Sequence, residues 1–367
     1  MSEIEGGRRS RREVIVQAGV AGAIVWTAPV VVSTRAWAAG TLAPTTTTTA
    51  PPPPIILIPT MGSGDLGGAG GVVMDANGNA WRTPDQGNTW VRATSSPVGF
   101  SPIAMGGVGE YAAVDGAGVL WYGTDFIGDN WAQSVAPPAG GPTFITGFFG
   151  DVVTDAAGNS ANGSADTWTA DTIPLSSLLG GASVTILAAG GFNLTIALDN
   201  TGQAYTNHPL GSGSWSAATT SPADLVPPVV PTIASGMASA THVALDAAGA
   251  SAFSADDGVT WAAAATSISS LGGAPTLVAG GRFPAFVALD AAGHAWRTPD
   301  GSVWSLASTS IADLDPNAVV TVVVGGNQAP AGGHVFAAVG STSGGASAAW
   351  FTNDGGATWQ VAATPPT

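Results

Sequence analysis

The sequence predicts an all-β fold: a seven-bladed β-propeller of four-stranded antiparallel blades, placed after a signal segment and a Thr/Pro-rich linker. Three observations carry the prediction. A unit of roughly 40–45 residues recurs along the chain, a length that suits one four-stranded blade. Each unit divides into short apolar stretches separated by Gly- and Asp-rich turns. No helical periodicity of useful length follows residue 40.

The unit runs as an apolar strand, Gly-Gly, and a strand ending in Asp. Gly follows three residues later, then an aromatic strand and a turn that closes on Trp. The closing tryptophans are Trp90, Trp131, Trp168, Trp215, Trp261, Trp304 and Trp359. The strand-ending aspartates are Asp75, Asp115, Asp155, Asp199, Asp246 and Asp290. Two independent landmarks keep step, which chance rarely produces. In the Asp-x-x-Gly turn the carboxylate caps backbone amides and the glycine accepts positive φ. A lone four-stranded sheet would leave both faces exposed, and radial stacking covers both. The seventh copy has Gly340 and Ser341 in place of the Asp and a Gly/Ser insertion before Trp350. Two segments are placed to complete the first blade: Ile55–Ile58, or a strand after Trp359.

Residues 1–38 read as a twin-arginine-type signal peptide. Arg11 and Arg12 sit in Ser10-Arg11-Arg12-Glu13-Val14-Ile15, an apolar stretch follows from Val14 to Val32, and Ala36-Trp37-Ala38 offers a small-x-small cleavage site. Pro29, Gln17 and the many small residues make that stretch weak as a permanent anchor. Residues 39–59 form a Thr/Pro-rich linker, which reads as an extended spacer. Residues 60–367 form the propeller. The mature chain is expected to be secreted or associated with the cell envelope, and monomeric.

Composition excludes several function classes. The net charge is -15 and lysine is absent. Beyond residue 38 only Arg82, Arg92, Arg282 and Arg297 face 20 Asp and one Glu. Such a surface repels phosphate backbones and anionic membranes, so neither nucleic-acid binding nor membrane insertion of the mature domain is expected. Cysteine is absent, which removes disulfides and thiolate metal sites.

The turn before each tryptophan resembles the Asp box of sialidase-type repeats. Three copies fit closely, with Asp85, Gly87 and Trp90, then Asp256, Gly258 and Trp261, then Asp354, Gly356 and Trp359. The copy with Asp300, Gly301 and Trp304 is one residue short, and the copies ending at Trp131, Trp168 and Trp215 are degenerate. The wider unit is similar to photosystem II assembly-factor propellers, and more weakly to chromosome-condensation-regulator and tectonin-type repeats. The resemblance implies structural roles for these Asp, Gly and Trp residues. It also implies that a sialidase would need three arginines gripping a carboxylate and a Tyr/Glu pair. Arg82 and Arg297 occupy one repeat position, and Glu110 and Tyr111 are adjacent, so alternation points them to opposite faces.

Functional residues are therefore sought where the copies differ. Loops joining consecutive blades share a face with the Asp-x-x-Gly turns. Their acids Asp171, Asp224, Asp313 and Asp315 are the candidate ligand contacts. Asp313 and Asp315 also suit the paired carboxylates of a glycoside hydrolase. The ring of strand-ending aspartates could hold Ca²⁺, although no metal or other cofactor is expected. His208, His242, His294 and His334 lack ligand spacing. The expected function is an exported, non-enzymatic propeller that binds an extracellular glycan or a surface protein through its inter-blade loops. The alternative is a glycoside hydrolase.

Overall fold

The computed structural model describes residues 71–367 except for single positions and short stretches, the longest being 226–231. The signal segment, the spacer, Ile55–Ile58, Glu110, His208 and Arg282 lie outside the described residues. Seven antiparallel sheets follow one another along the chain. Blades 2 to 7 each hold four strands, and blade 1 holds three among the described residues. In blade 6, taken as the pattern, Leu277–Gly280, Phe286–Leu289, Ala295–Thr298 and Ser305–Leu306 pair in sequence order. The first strand is innermost. Those of blades 2 to 7 neighbour one another in turn, from Pro102–Gly106 round to Val319–Gln328, which meets Gly71–Met74 of blade 1.

Stacking gives the protein no single core. Among the described residues, the buried apolar side chains form seven separate clusters, and each joins two adjacent blades. The cluster between blades 7 and 1 joins Val322, Val324, Ala337 and Val339 to Val73, Trp81 and Trp90. A closing tryptophan enters six of these interfaces buried. Truncating one to alanine costs about 3–5 kcal/mol. Trp168 is the exception. It lies inside the outermost strand Thr167–Ala170, opposite Gly163, and is only partly buried.

The turn chemistry explains the repeat. In the turn before Trp90, Asp85 accepts the Thr89 N–H (2.6 Å) and the Thr89 hydroxyl (2.9 Å). Asp256 and Asp354 make the same pair of bonds to Thr260 and Thr358. The short copy uses Asp300 to hold the N–H groups of Ser302 and Val303. The copy ending at Trp131, degenerate in sequence, keeps the device: Asp125 accepts the Asp129 N–H (2.9 Å) and the Asn130 side-chain amide (2.7 Å). The glycine of each turn is a wedge against the preceding blade. A Cβ on Gly356 (φ 84°) would lie 2.4 Å from Val287, and one on Gly87 (φ 91°) would lie 2.7 Å from Ala337. Gly128, Gly258 and Gly301 make the equivalent approach to Val72, Ile196 and Val243.

A second recurring bond latches the blades. The backbone N–H of each closing tryptophan other than Trp168 donates to the blade before it: Trp215 to Ile173 O, Trp304 to Thr266 O and Trp359 to Thr309 O. Trp131 and Trp261 use the hydroxyls of Ser95 and Thr220 instead. Trp90 donates to Thr364 O (2.9 Å), so the C-terminal tail closes the ring onto blade 1. Of the two segments considered for completing blade 1, the one after Trp359 is placed elsewhere. Gln360–Val361 is the outermost strand of blade 7.

Candidate functional site

The six strand-ending aspartates are occupied as caps. Each accepts the N–H four residues on, as Asp75 does from Asn79 (2.8 Å) and Asp246 from Ala250 (2.8 Å). In blade 7 Thr342 stands at the aspartate's position and keeps only the turn's backbone bond, Gly345 N–H to Thr342 O (2.9 Å), which the Asp-x-x-Gly turns also make. Among the described residues, no group of three or more His, Asp or Glu side chains is arranged to hold a metal ion.

The inter-blade loops lie over these turns. Four consecutive loops carry a single helical turn: Leu175–Ser177, Pro222–Leu225, Ser269–Leu271 and Ile311–Leu314. Each turn is bonded to the glycine of the underlying Asp-x-x-Gly turn, through Ser176 N–H to Gly158 O, Ala223 to Gly202, Ser269 to Gly249 and Ala312 to Gly293. Each also has a buried anchor (Leu175, Pro222, Ile268 and Ile311). Three residues after the anchor stands a leucine: Leu178, Leu225, Leu271 and Leu314. Leu178 and Leu271 are half-buried, whereas Leu225 and Leu314 are exposed, at 37 % and 39 %. One helical turn brings residue i+3 back over residue i, so the four leucines occupy equivalent places on an arc over blades 3 to 6. Sequence reasoning missed this arc. Its signal was the repeated spacing in Leu175-Ser-Ser-Leu178, Pro222-Ala-Asp-Leu225, Ile268-Ser-Ser-Leu271 and Ile311-Ala-Asp-Leu314.

The four candidate acids divide into two kinds. Asp171 is buried, and its carboxylate accepts the Trp215 indole N–H (2.8 Å) and the Asn162 amide. Burial raises its pKa, against hydrogen bonds from Ser160 and Trp215. Asp224 and Asp313 are exposed and sit one residue before Leu225 and Leu314. Asp224 accepts the Ser221 N–H (2.8 Å). Asp313 accepts the N–H (2.7 Å) and hydroxyl (2.9 Å) of Ser310, which hold its carboxyl below the usual carboxylate range; nearby His294 adds to the effect. Asp315 follows the last turn and accepts the Asn317 N–H (3.1 Å). The structure therefore brings Asp224 and Asp313 into one arc and puts Asp171 beneath it.

The other titratable residues considered lie in the blades. Tyr111 is fully buried against Trp131, and burial followed by the charge of Asp125 raises the pKa of its hydroxyl. His242 is fully buried, and desolvation lowers its pKa to about 3. His294 bonds Asp290 (2.7 Å) in the blade 6 turn.

No family model and no curated protein matches the chain. Its fold is that of solved propellers. It is similar to YCF48 bound to a D1 peptide, with 17 % identity over 75 % of this chain and 90 % of that one and a TM-score of 0.54. YCF48 from Cyanidioschyzon merolae is similar at 16 % identity over 74 % and 89 %, with a TM-score of 0.51. The yeast RCC1 (Prp20) structure with Kap60 matches at 13 % identity over 71 % and 76 %, with a TM-score of 0.47. YCF48 is of the photosystem II assembly-factor kind that the repeat resembles.

Proposed function

We propose that the chain is an exported, non-enzymatic propeller that binds a protein partner through the loop arc over blades 3 to 6. The observation that carries this reading is the set of four equivalent helical turns, two of which expose an Asp-Leu pair. Blade-building leucines such as Leu198 and Leu289 are completely buried; Leu225 and Leu314 are not. An arc of apolar side chains with interspersed carboxylates suits a protein segment that carries apolar residues beside Lys or Arg. YCF48, of the same fold, has been solved with a bound peptide, which supports a peptide-binding use of these loops. The engagement of Asp171 by the Trp215 indole and of Asp313 by Ser310 favours recognition over hydrolysis. Export is read from Arg11 and Arg12, which places the partner in the cell envelope or outside it.

The test is parallel screening of the mature chain on a peptide array and a glycan array, with a Leu225→Ser/Leu314→Ser variant alongside. The mature chain is expected to retain basic, apolar peptides. The variant should bind them about tenfold more weakly or worse, with unchanged thermal unfolding. Retention of glycans alone would refute the protein-partner reading. So would release of reducing sugar that disappears in Asp313→Asn, and that result would establish the hydrolase instead.

A further inference from the structure

Two blades carry arginine at the same place, and only one of the two arginines meets a carboxylate there. Arg82 stands opposite Val72 and Val91 in blade 1, and Arg297 stands opposite Val287 and Ser305 in blade 6. In both, the glycine wedge of the following blade presses on the valine. A Cβ on Gly128 would lie 2.4 Å from Val72, and one on Gly356 would lie 2.4 Å from Val287. The residue after the wedge is Asp129 in blade 2 and Ala357 in blade 7. The two sit in one backbone frame: Asp129 O accepts the Ser95 N–H (3.1 Å), and Ala357 O accepts the Thr309 N–H (3.2 Å). Their side chains therefore start from equivalent points beside the arginine, two residues before the closing tryptophan. The other blades carry Tyr122, Asn162, Thr206, Phe253 and Phe351 at the arginine's place. A cation is thus not needed to build the wedge.

The carboxylate of Asp129 shows what this point holds. It accepts the Arg82 Nε–H (3.0 Å), the Thr94 N–H (3.1 Å) and the Thr94 hydroxyl (2.8 Å). In blade 7 the methyl group of Ala357 offers no acceptor. Ser308, which precedes Thr309 as Thr94 precedes Ser95, brings an exposed hydroxyl to the place of Thr94. Arg297 is half-exposed, but its Nε is buried and has no hydrogen-bond acceptor. It enters no ion pair among the described residues. The acids of the two adjoining turns are engaged by their own turns, Asp300 by Ser302 and Val303 and Asp354 by Thr358. A guanidinium does not lose its charge, and a buried N–H without an acceptor is costly.

We propose that Arg297 and Ser308 bind the carboxylate of a ligand between blades 6 and 7, at the point that Asp129 fills between blades 1 and 2. The guanidinium fork suits a planar, two-oxygen anion. The net charge of -15 counts against a multiply charged phosphate. This site does not rest on the leucine arc, and the two can be tested separately.

The arginine Nε–H resonances of the full-length chain read the site directly, because the chain has nine arginines and Arg297→Lys assigns the one concerned. Acetate, titrated at constant ionic strength, is expected to move that resonance saturably and at lower concentration than inorganic phosphate. An N-acetylated, C-amidated Ala-Glu-Ala peptide identifies the source. Tighter binding than acetate assigns the carboxylate to a polypeptide side chain, weaker binding assigns it to a small free acid, and either upholds the site. No movement with acetate or peptide, or tighter binding of phosphate, overturns the proposal. Ala357→Asp supplies the carboxylate from the chain itself. It is expected to raise Tm by about 2–6 °C, to lose that gain when combined with Arg297→Gln, and to abolish the response to acetate. An unchanged Tm, or a rise that persists without Arg297, also overturns the proposal.

Discussion

Gly87→Ala compared with Gly272→Ala isolates the energy that closes the ring. Both glycines have positive φ, 91° and 77°. An alanine forced into that region costs about 1–2 kcal/mol in either place, and the entropy lost from the unfolded chain is the same for both. Their surroundings differ. A Cβ on Gly272 meets nothing within 4 Å, whereas one on Gly87 lies 2.7 Å from the Ala337 Cβ and 3.1 Å from the Phe351 Cβ, both in blade 7. Neither neighbour is the end of a flexible side chain, so blades 1 and 7 must separate. Overpacking of this kind adds about 1–3 kcal/mol, for a total of about 2–5 kcal/mol at Gly87. At about 2 °C per kcal/mol for a domain of this size, calorimetry should show a Tm lowered by about 4–10 °C for Gly87→Ala and about 2–4 °C for Gly272→Ala. Equal shifts would refute the wedge between blades.

Three further outcomes are expected. Ending the chain after Val361 removes the bond from Trp90 N–H to Thr364 O and the buried Ala362; limited proteolysis should then cut within blade 1 or 7 first, and unaltered resistance would show that the tail is not a latch. Asp171→Ala leaves the Trp215 indole N–H without its carboxylate, so urea unfolding should show a loss of about 1–3 kcal/mol and tryptophan emission should shift to the red. Burial opposes ionisation of Asp129, Asp256, Asp300 and Asp354, but hydrogen bonds outweigh it and lower their pKa values. Their stabilisation is present above the ordinary carboxylate pKa and is lost as pH falls through the depressed values; Asp171, shifted upward, runs the opposite way. Tm measured against pH should therefore fall below about pH 4, and a flat acid limb would contradict the caps.

The blades were legible because their construction is local. A carboxylate, a glycine at positive φ and a tryptophan recur at fixed spacing, and each does the same physical work in every copy. Legibility failed where a copy departs from that chemistry. Thr342 closes the blade 7 turn through its backbone alone, so the sequence pattern has no side chain to display there. Asp125 caps a turn lengthened by one residue, which hides the match by eye but not in hydrogen bonding. Trp168 keeps the spacing of its counterparts, yet the pairing of Thr167–Ala170 with Ser160–Ser164, Thr167 opposite Ser164, draws it into the strand. The leucine arc was missed for a different reason. A single helical turn is too short for periodicity, and its repeat appears only when loops are aligned by the turns they cover.

The arc also contains an internal control for what its acids do. Two residues after the anchor, the four helical turns carry Ser177, Asp224, Ser270 and Asp313 in order round the ring. The loops with serine fold into the same kind of turn and reach the same glycine carbonyl as those with aspartate. A carboxylate at this position is therefore not required to build the loop, and its presence in alternate loops is a matter of charge. Asp224→Ser/Asp313→Ser copies the residue that the protein itself uses in the neighbouring loops. Loss of the Ser221 and Ser310 caps should give a modest fall in Tm for a domain of this size. Affinity for a basic, apolar peptide should fall by about tenfold, and the loss should shrink as salt is raised. Binding unchanged by the exchange would assign the two aspartates to capping alone and leave recognition to the leucines.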